Sequence, residues 1–164
     1  MSISTGYFNK TWGANWLLAA MIGLSLAGLG VSLYLMWGYT APGASLACGG
    51  SGGCDAVKNS VYASLLGIPL PTLGLISYVS LLALLLVHNH PIVSKNGWTA
   101  YMALLIFGLS LVGVLYSAYL TYLELFVIYA ICHWCVASAV IMVGIFFLSI
   151  FNLRNTNQSF VTEG

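Results

Sequence analysis

A chain of 164 residues that is 60% hydrophobic and only 4% charged, with a mean hydropathy of +0.98, cannot cover a water-soluble surface. The formal net charge of +1 leaves no basic face for nucleic acid and no polybasic anchor for an anionic membrane surface. Because a hydrocarbon core of about 30 Å takes roughly 20 helical residues, the four apolar runs of about that length predict an all-α membrane protein. Residues 1–164 read as one integral membrane domain, a four-transmembrane-helix bundle with a short amphipathic interfacial helix in the first outer loop.

Residues 1–11 are polar, with Lys10 the only charge, and the first span then runs over 15–37 without a single charge. That run is too long for the apolar part of a signal peptide. Ala19, Gly23 and Ala27 recur every four residues and mark a face where another helix can come close. An outer loop with its own short helix follows over 38–68. Pro42 and Gly43 break any helix, and Cys48 and Cys54 then enclose a glycine-filled stretch with little intrinsic shape, which a disulfide could close easily. Asp55 is placed to cap a short helix to about Leu66, with Val57, Val61 and Leu65 on one face. Such a helix is too short to span and is expected to lie along the interface as a lid.

The second span covers 70–88, with Pro69 and Pro71 at its start, where a missing N–H costs little. A joint holding His88, His90, Pro91 and Lys95 leads to the third span over 98–122, which carries Gly113 and Ser117 as a second contact face and stops short of Glu124, read as solvated. The fourth span covers 132–151, followed by Arg154 and a polar tail. All five tryptophans fall near a span end, as an aromatic belt requires.

Lys10, Lys95 and Arg154 share one side of a four-helix layout and only Lys58 lies on the other, so the positive-inside rule puts both termini in the cytoplasm. Both cysteine pairs then face an oxidising compartment. Their co-location on one side does not depend on the charge count.

Cys132-His133-Trp134-Cys135 opens the last apolar run. Two sulfurs at that spacing on the first turn of a helix share a face and can bridge, and the positive helix end favours thiolate. As a staple, so short a loop would restrict the unfolded chain little. As a redox pair it suits a relay: a soluble thiol reduces the arm closed by Cys48 and Cys54, the arm attacks the CxxC pair, and electrons leave by thiol–disulfide exchange. An apolar quinone held in the bundle core is the natural acceptor. Phe107, Tyr116, Tyr119 and Tyr122 are candidates to line its pocket, with ordinary packing as the alternative. The competing reading is a non-enzymatic membrane scaffold with structural disulfides or a zinc site. A zinc site usually pairs two short CxxC knuckles, only one pair here has that spacing, and no metal is expected. A transporter is disfavoured because the predicted spans hold no buried charge. His133 reads as a bystander, Asp55 as a cap, and His88 and His90 lie on the side away from the cysteines.

Taken together, Cys48 to Cys54, then Asp55-Ala56-Val57, Ser60-Val61-Tyr62, Gly67-Ile68-Pro69-Leu70-Pro71-Thr72-Leu73-Gly74 and the CxxC at Cys132 resemble the vitamin K epoxide reductase family, of the bacterial type. The order of the pairs is the reverse of that in DsbB-type enzymes, whose CxxC lies in the first loop. The resemblance implies that Cys132 and Cys135 are the active-site pair, Cys135 engaging the quinone and Cys132 receiving the arm. It also implies that Cys48 and Cys54 are the shuttle pair, with Cys48 attacking Cys132, and that Ser60 stands beside the quinone head group. Ala139 and Leu70 replace a tyrosine and an asparagine of vertebrate members, which points away from vitamin K epoxide and toward ubiquinone, menaquinone, plastoquinone or phylloquinone. Many bacterial relatives carry a fused thioredoxin-like domain. This chain stops at Gly164 with no room for one, so a thioredoxin-like or DsbA-like partner acting in trans is expected unless the sequence is a piece of a longer one. The implied protein is a quinone-dependent disulfide oxidoreductase supporting disulfide bond formation. It would sit in a bacterial plasma membrane or a thylakoid, with its cysteine pairs facing the periplasm or lumen.

Overall fold

Apolar residues all round, rather than on one stripe, are what a helix surrounded by lipid and other helices requires. The structure, a computed structural model, describes residues 4–41, 53–65, 67–88 and 98–161, with side chains described except at 4–15, 65, 99 and 155–161. Cys48, His90 and Lys95 lie outside the described residues, as does the side chain of Lys10.

The long helices are α1 (Ser4–Thr40), α3 (Leu70–His88), α4 (Thr99–Leu123) and α5 (His133–Val161), with the short α2 (Gly53–Lys58) between the first two. Stretches long and apolar enough to cross a membrane run over Trp16–Thr40, Leu70–His88, Ala100–Ile128 and His133–Arg154. The chain is therefore a multi-pass membrane protein with the expected four-helix architecture. Helices α1 and α5 continue past the predicted spans, to Ser4 and to Val161. Each long helix packs on two others, α1 on α3 and α5, and α4 on α3 and α5, which closes an up-and-down bundle. The mid-bundle core is Met21, Tyr78, Leu81, Leu85, Ile106, Met142 and Ile145.

Close approach of the helices depends on particular glycines. A Cβ at Gly28 would enter the Tyr78 ring, and one at Gly113 would come 2.8 Å from Met142 Sδ, so the contact face expected around Gly113 is present. The face expected from Ala19, Gly23 and Ala27 is displaced: nothing lies within 4 Å of a Cβ at Gly23, and Gly28 makes the contact instead.

The interfacial helix is shorter than expected. Helix α2 ends at Lys58, and a single 3₁₀ turn (Val61–Ala63) and a two-residue hairpin follow, β1 (Ser64–Leu65) against β2 (Ile68–Pro69), closed at Gly67 with φ +84°. The break comes at Ser60, whose backbone is extended and whose hydroxyl donates to the Val57 carbonyl at 2.7 Å. That bond takes an acceptor the helix would otherwise use. Val61 is consequently 85% exposed while Val57 is buried, and Asp55 sits in the first turn of α2 rather than at its cap. A carboxylate there still favours the helix N-terminus.

Candidate active site

Cys132 is the N-cap of α5. Its carbonyl accepts the Val136 N–H at 3.0 Å, and its Sγ accepts the Cys135 N–H at 3.3 Å, the place a serine or aspartate oxygen takes in an ordinary cap. Only 1% of Cys132 is exposed. A hydrogen bond from the Cys135 thiol, with further bonds from the Cys135 and Trp134 N–H groups, holds the Cys132 thiol below its usual range. Burial and the neighbouring Glu124 carboxyl push the other way and are outweighed. Trp134 packs on Tyr34 of α1 with ring centroids 4.8 Å apart, which seats this turn against the bundle. His133 is exposed.

The segment leading into Cys132 explains its position. Helix α4 widens into one π turn over Glu124–Ile128, and Tyr129 then adopts the left-handed conformation at φ 55°, ψ 33°. That geometry costs a non-glycine residue roughly 1 kcal/mol or more. It lets the N–H groups of Tyr129 and Ala130 both return to the Glu124 carbonyl, and the chain reverses sharply enough for Cys132 N–H to donate to Glu124 Oε2 at 3.1 Å. Glu124, expected to be solvated, is only 4% exposed. The sequence did carry a signal, since the apolar run resumes at Leu125 and encloses the carboxyl, and an ionisable residue inside such a run points to function.

From the other side, α2 lies directly on this reversal. A Cβ at Gly53 would collide with the Ile131 carbonyl oxygen, so only glycine allows the approach. Lys58 Nζ donates to the Gly38 carbonyl at the end of α1 at 2.6 Å and fastens the far end of α2. Between these points Cys54 is buried, with its Sγ 3.5 Å from Cys132 Sγ. Cys54 is disulfide-bonded, whereas Cys132 and Cys135 are free thiols. Among the described residues the sulfur that meets Cys132 is that of Cys54, while Cys48, to which the resemblance gives that role, lies outside them. Helix α2 carries Cys54 into the cluster of Leu35, Val57 and Cys132.

Beneath the cysteines a cavity of about 130 Å³ reaches into the bundle. A single water needs roughly 10–15 Å³ on a comparable measure, so the space suits a small organic group. Cys54, Cys132, Cys135 and Glu124 line its cysteine end, and Leu35, Leu73 and Met142 supply apolar wall. Hydroxyls come from Ser32, Tyr39, Ser60, Tyr116 and Ser138. Leu70 and Ala139 also line it. Of the aromatic candidates, Tyr116 reaches the cavity. Phe107 instead stacks on Phe146 at 5.5 Å and Tyr122 on Phe126 at 4.9 Å, while Tyr119 is half exposed. His88 closes the opposite end of α3, away from the cysteines.

Donor atoms of Glu124, Cys132 and Cys135 lie within 4.8 Å of one another. A closed zinc site takes four ligands. Cys54, the next sulfur, is already committed to a disulfide, so among the described residues the set is incomplete. The fitted chemistry is sulfur exchange: three sulfurs in one buried cluster, two reduced and one oxidised, above an apolar cavity with hydroxyl donors.

The model of the vitamin K epoxide reductase family matches residues 19–150. That stretch takes in nearly all of the membrane-crossing part of α1, the whole of α2, α3 and α4, the chain reversal and nearly all of the apolar part of α5. With both the cysteine geometry and this match in hand, the chain belongs to the vitamin K epoxide reductase family and is a membrane thiol oxidoreductase.

Proposed function

We propose that this protein takes two electrons from a thioredoxin-like or DsbA-like dithiol protein, passes them through Cys48–Cys54 and then Cys132–Cys135, and delivers them to a membrane quinone. The observation that carries this reading is the 3.5 Å separation of Cys54 Sγ and Cys132 Sγ beside a cavity that Cys135 lines. That separation matches the roughly 3–3.5 Å at which reacting atoms are poised.

The partner dithiol reduces the Cys48–Cys54 disulfide and is itself oxidised. The Cys54 thiolate then attacks Cys132 of the oxidised pair. The Cys54–Cys132 bond forms, the Cys132–Cys135 bond breaks, and its electron pair leaves on Cys135. Attack of Cys48 on Cys54 restores the shuttle disulfide and frees Cys132. A disulfide-bonded Cys54 facing free Cys132 and Cys135 corresponds to the state after this transfer. The lowered Cys132 thiol makes its sulfur the better leaving group in the second exchange.

The cavity suits a quinone ring on its own terms, with apolar walls, hydroxyl donors and the Cys135 sulfur at one end. When bound, a quinone would supply a two-electron, two-proton sink within the membrane. Ser60, on the wall with its hydroxyl next to the Val57 carbonyl, is the residue we place beside the head group. Leu70 and Ala139 make the wall apolar where hydrogen-bonding residues stand in vertebrate members, in line with a respiratory or photosynthetic quinone. We place the cysteine end in the periplasm or lumen and the termini in the cytoplasm, on the distribution of basic residues.

The deciding experiment is turnover of purified protein with a dithiol and a quinone. Cys135→Ala should abolish quinone reduction. Undiminished turnover would remove the proposal.

A further inference from the structure

Glu124 is a buried carboxyl for which the relay, as written, has no task. Its Oε2 accepts the Cys132 N–H at 3.1 Å, and the carboxyl is also within hydrogen-bonding reach of the Cys135 thiol, all three groups lying within 4.8 Å of one another. Its burial is close to that of the two core cysteines, and it lines the cavity together with them.

The difficulty it answers is electrostatic. When Cys54 attacks Cys132, the electron pair leaves on Cys135, inside the bundle. The N–H groups at the start of α5 that would stabilise an anion are already directed at the Cys132 sulfur. A second anion a few ångströms away in a poorly solvated pocket is repelled by the first and has few donors of its own.

On the relay reading above, we infer that Glu124 is the catalytic group that carries the Cys135 proton. It donates to the Cys135 sulfur as the Cys132–Cys135 bond breaks, and it takes the proton back as that bond re-forms. In the first direction the Cys54–Cys132 bond is made, the Cys132–Cys135 bond is broken, and the electron pair and the Glu124 proton both end on Cys135. In the second, Cys135 loses its proton to Glu124 as its sulfur joins Cys132, and two electrons pass to the quinone. Over the cycle Glu124 gains and loses one proton and is left as it began, so both protons that a bound quinone would need come from water, in place of the two that the partner dithiol releases.

Glu124→Gln separates proton transfer from scaffolding, because the amide oxygen can still accept the Cys132 N–H while the group no longer moves a proton. In quinone-free protein, reduction of the Cys132–Cys135 disulfide by excess dithiol is followed by rapid quench and thiol alkylation. Glu124→Gln should slow it by about 10²- to 10⁴-fold, and Glu124→Asp, a carboxyl on a shorter arm, should recover part of that loss. An undiminished rate in Glu124→Gln overturns the inference. The control is Cys48→Ala/Cys135→Ala protein, in which Cys54 and Cys132 can bridge under mild oxidation with no Cys135 proton to move. Mass spectrometry should find the same bridge with Glu124 or Gln at position 124. Loss of the bridge on adding Glu124→Gln would assign Glu124 to holding Cys132 in place and overturn the proton role. Failure to bridge with Glu124 intact is a different result, because it removes the relay itself and the proton role with it.

Discussion

The mid-bundle core and the cysteine end of the same helices are built by different means. In the core, Met21, Leu81, Leu85, Ile106 and Ile145 fill space by side-chain volume, as in any helix bundle. At the cysteine end, few large side chains are fully buried. Position there is set by the backbone: a π turn, a left-handed tyrosine, a cysteine acting as a helix cap, and a glycine pressed on a carbonyl. A core tolerates exchange of one apolar shape for another at modest cost, whereas sulfur chemistry at 3.5 Å does not tolerate displacement.

The sharpest test of that contrast asks which sulfur the backbone delivers. Two double variants each leave one candidate pair, Cys48→Ala/Cys135→Ala keeping Cys54 with Cys132, and Cys54→Ala/Cys135→Ala keeping Cys48 with Cys132. Mass spectrometry after mild oxidation should find an intramolecular bridge in the first and essentially none in the second. The opposite pattern would return the attacking role to Cys48.

A smaller but still large effect is expected at Gly53. Gly53→Ala pushes α2 away from the Ile131 carbonyl and takes Cys54 with it. A misplacement of this kind should cost about 10²-fold in the rate of exchange between Cys54 and Cys132. The fold should survive, because the long helices do not depend on α2. Alkylation kinetics together with far-ultraviolet circular dichroism would show both, and unchanged exchange would mean that the backbone contact does not set the sulfur position.

In the core the same chemical change should act on stability and leave exchange alone. Gly28→Ala drives a methyl into the Tyr78 ring, whose hydroxyl is held by Ser138 at 2.9 Å, and should cost about 1–3 kcal/mol through overpacking. Gly23→Ala, on the same helix but facing open space, should change stability by no more than about 0.5 kcal/mol. Denaturant unfolding in detergent compares the two directly. Equal losses would show that α1 is not placed against α3 by Gly28.

The difference between these regions also explains what was legible. The four spans follow from hydropathy along the chain, a local and countable property. Glu124 was misread because the third span was ended at Tyr122, as if the carboxyl marked the water boundary. The α2 region was misread because a four-residue apolar repeat outweighed the tendency of Asn59 and Ser60 to bond back to the preceding turn. The approach of Cys54 to Cys132 was not legible, because nothing in the spacing could choose between two cysteines flanking a glycine-rich stretch.

By itself the sequence determined that the chain crosses a membrane four times, because that depends only on how apolar each run is and how many there are. Tertiary structure alone decided that Cys54 Sγ lies 3.5 Å from Cys132 Sγ, that Glu124 lies buried beside the Cys132 and Cys135 thiols, and that a hydroxyl-lined cavity begins there. Contacts across α1, α2, α4 and α5 depend on where separate segments of backbone come to rest against one another, which no local pattern of residues specifies.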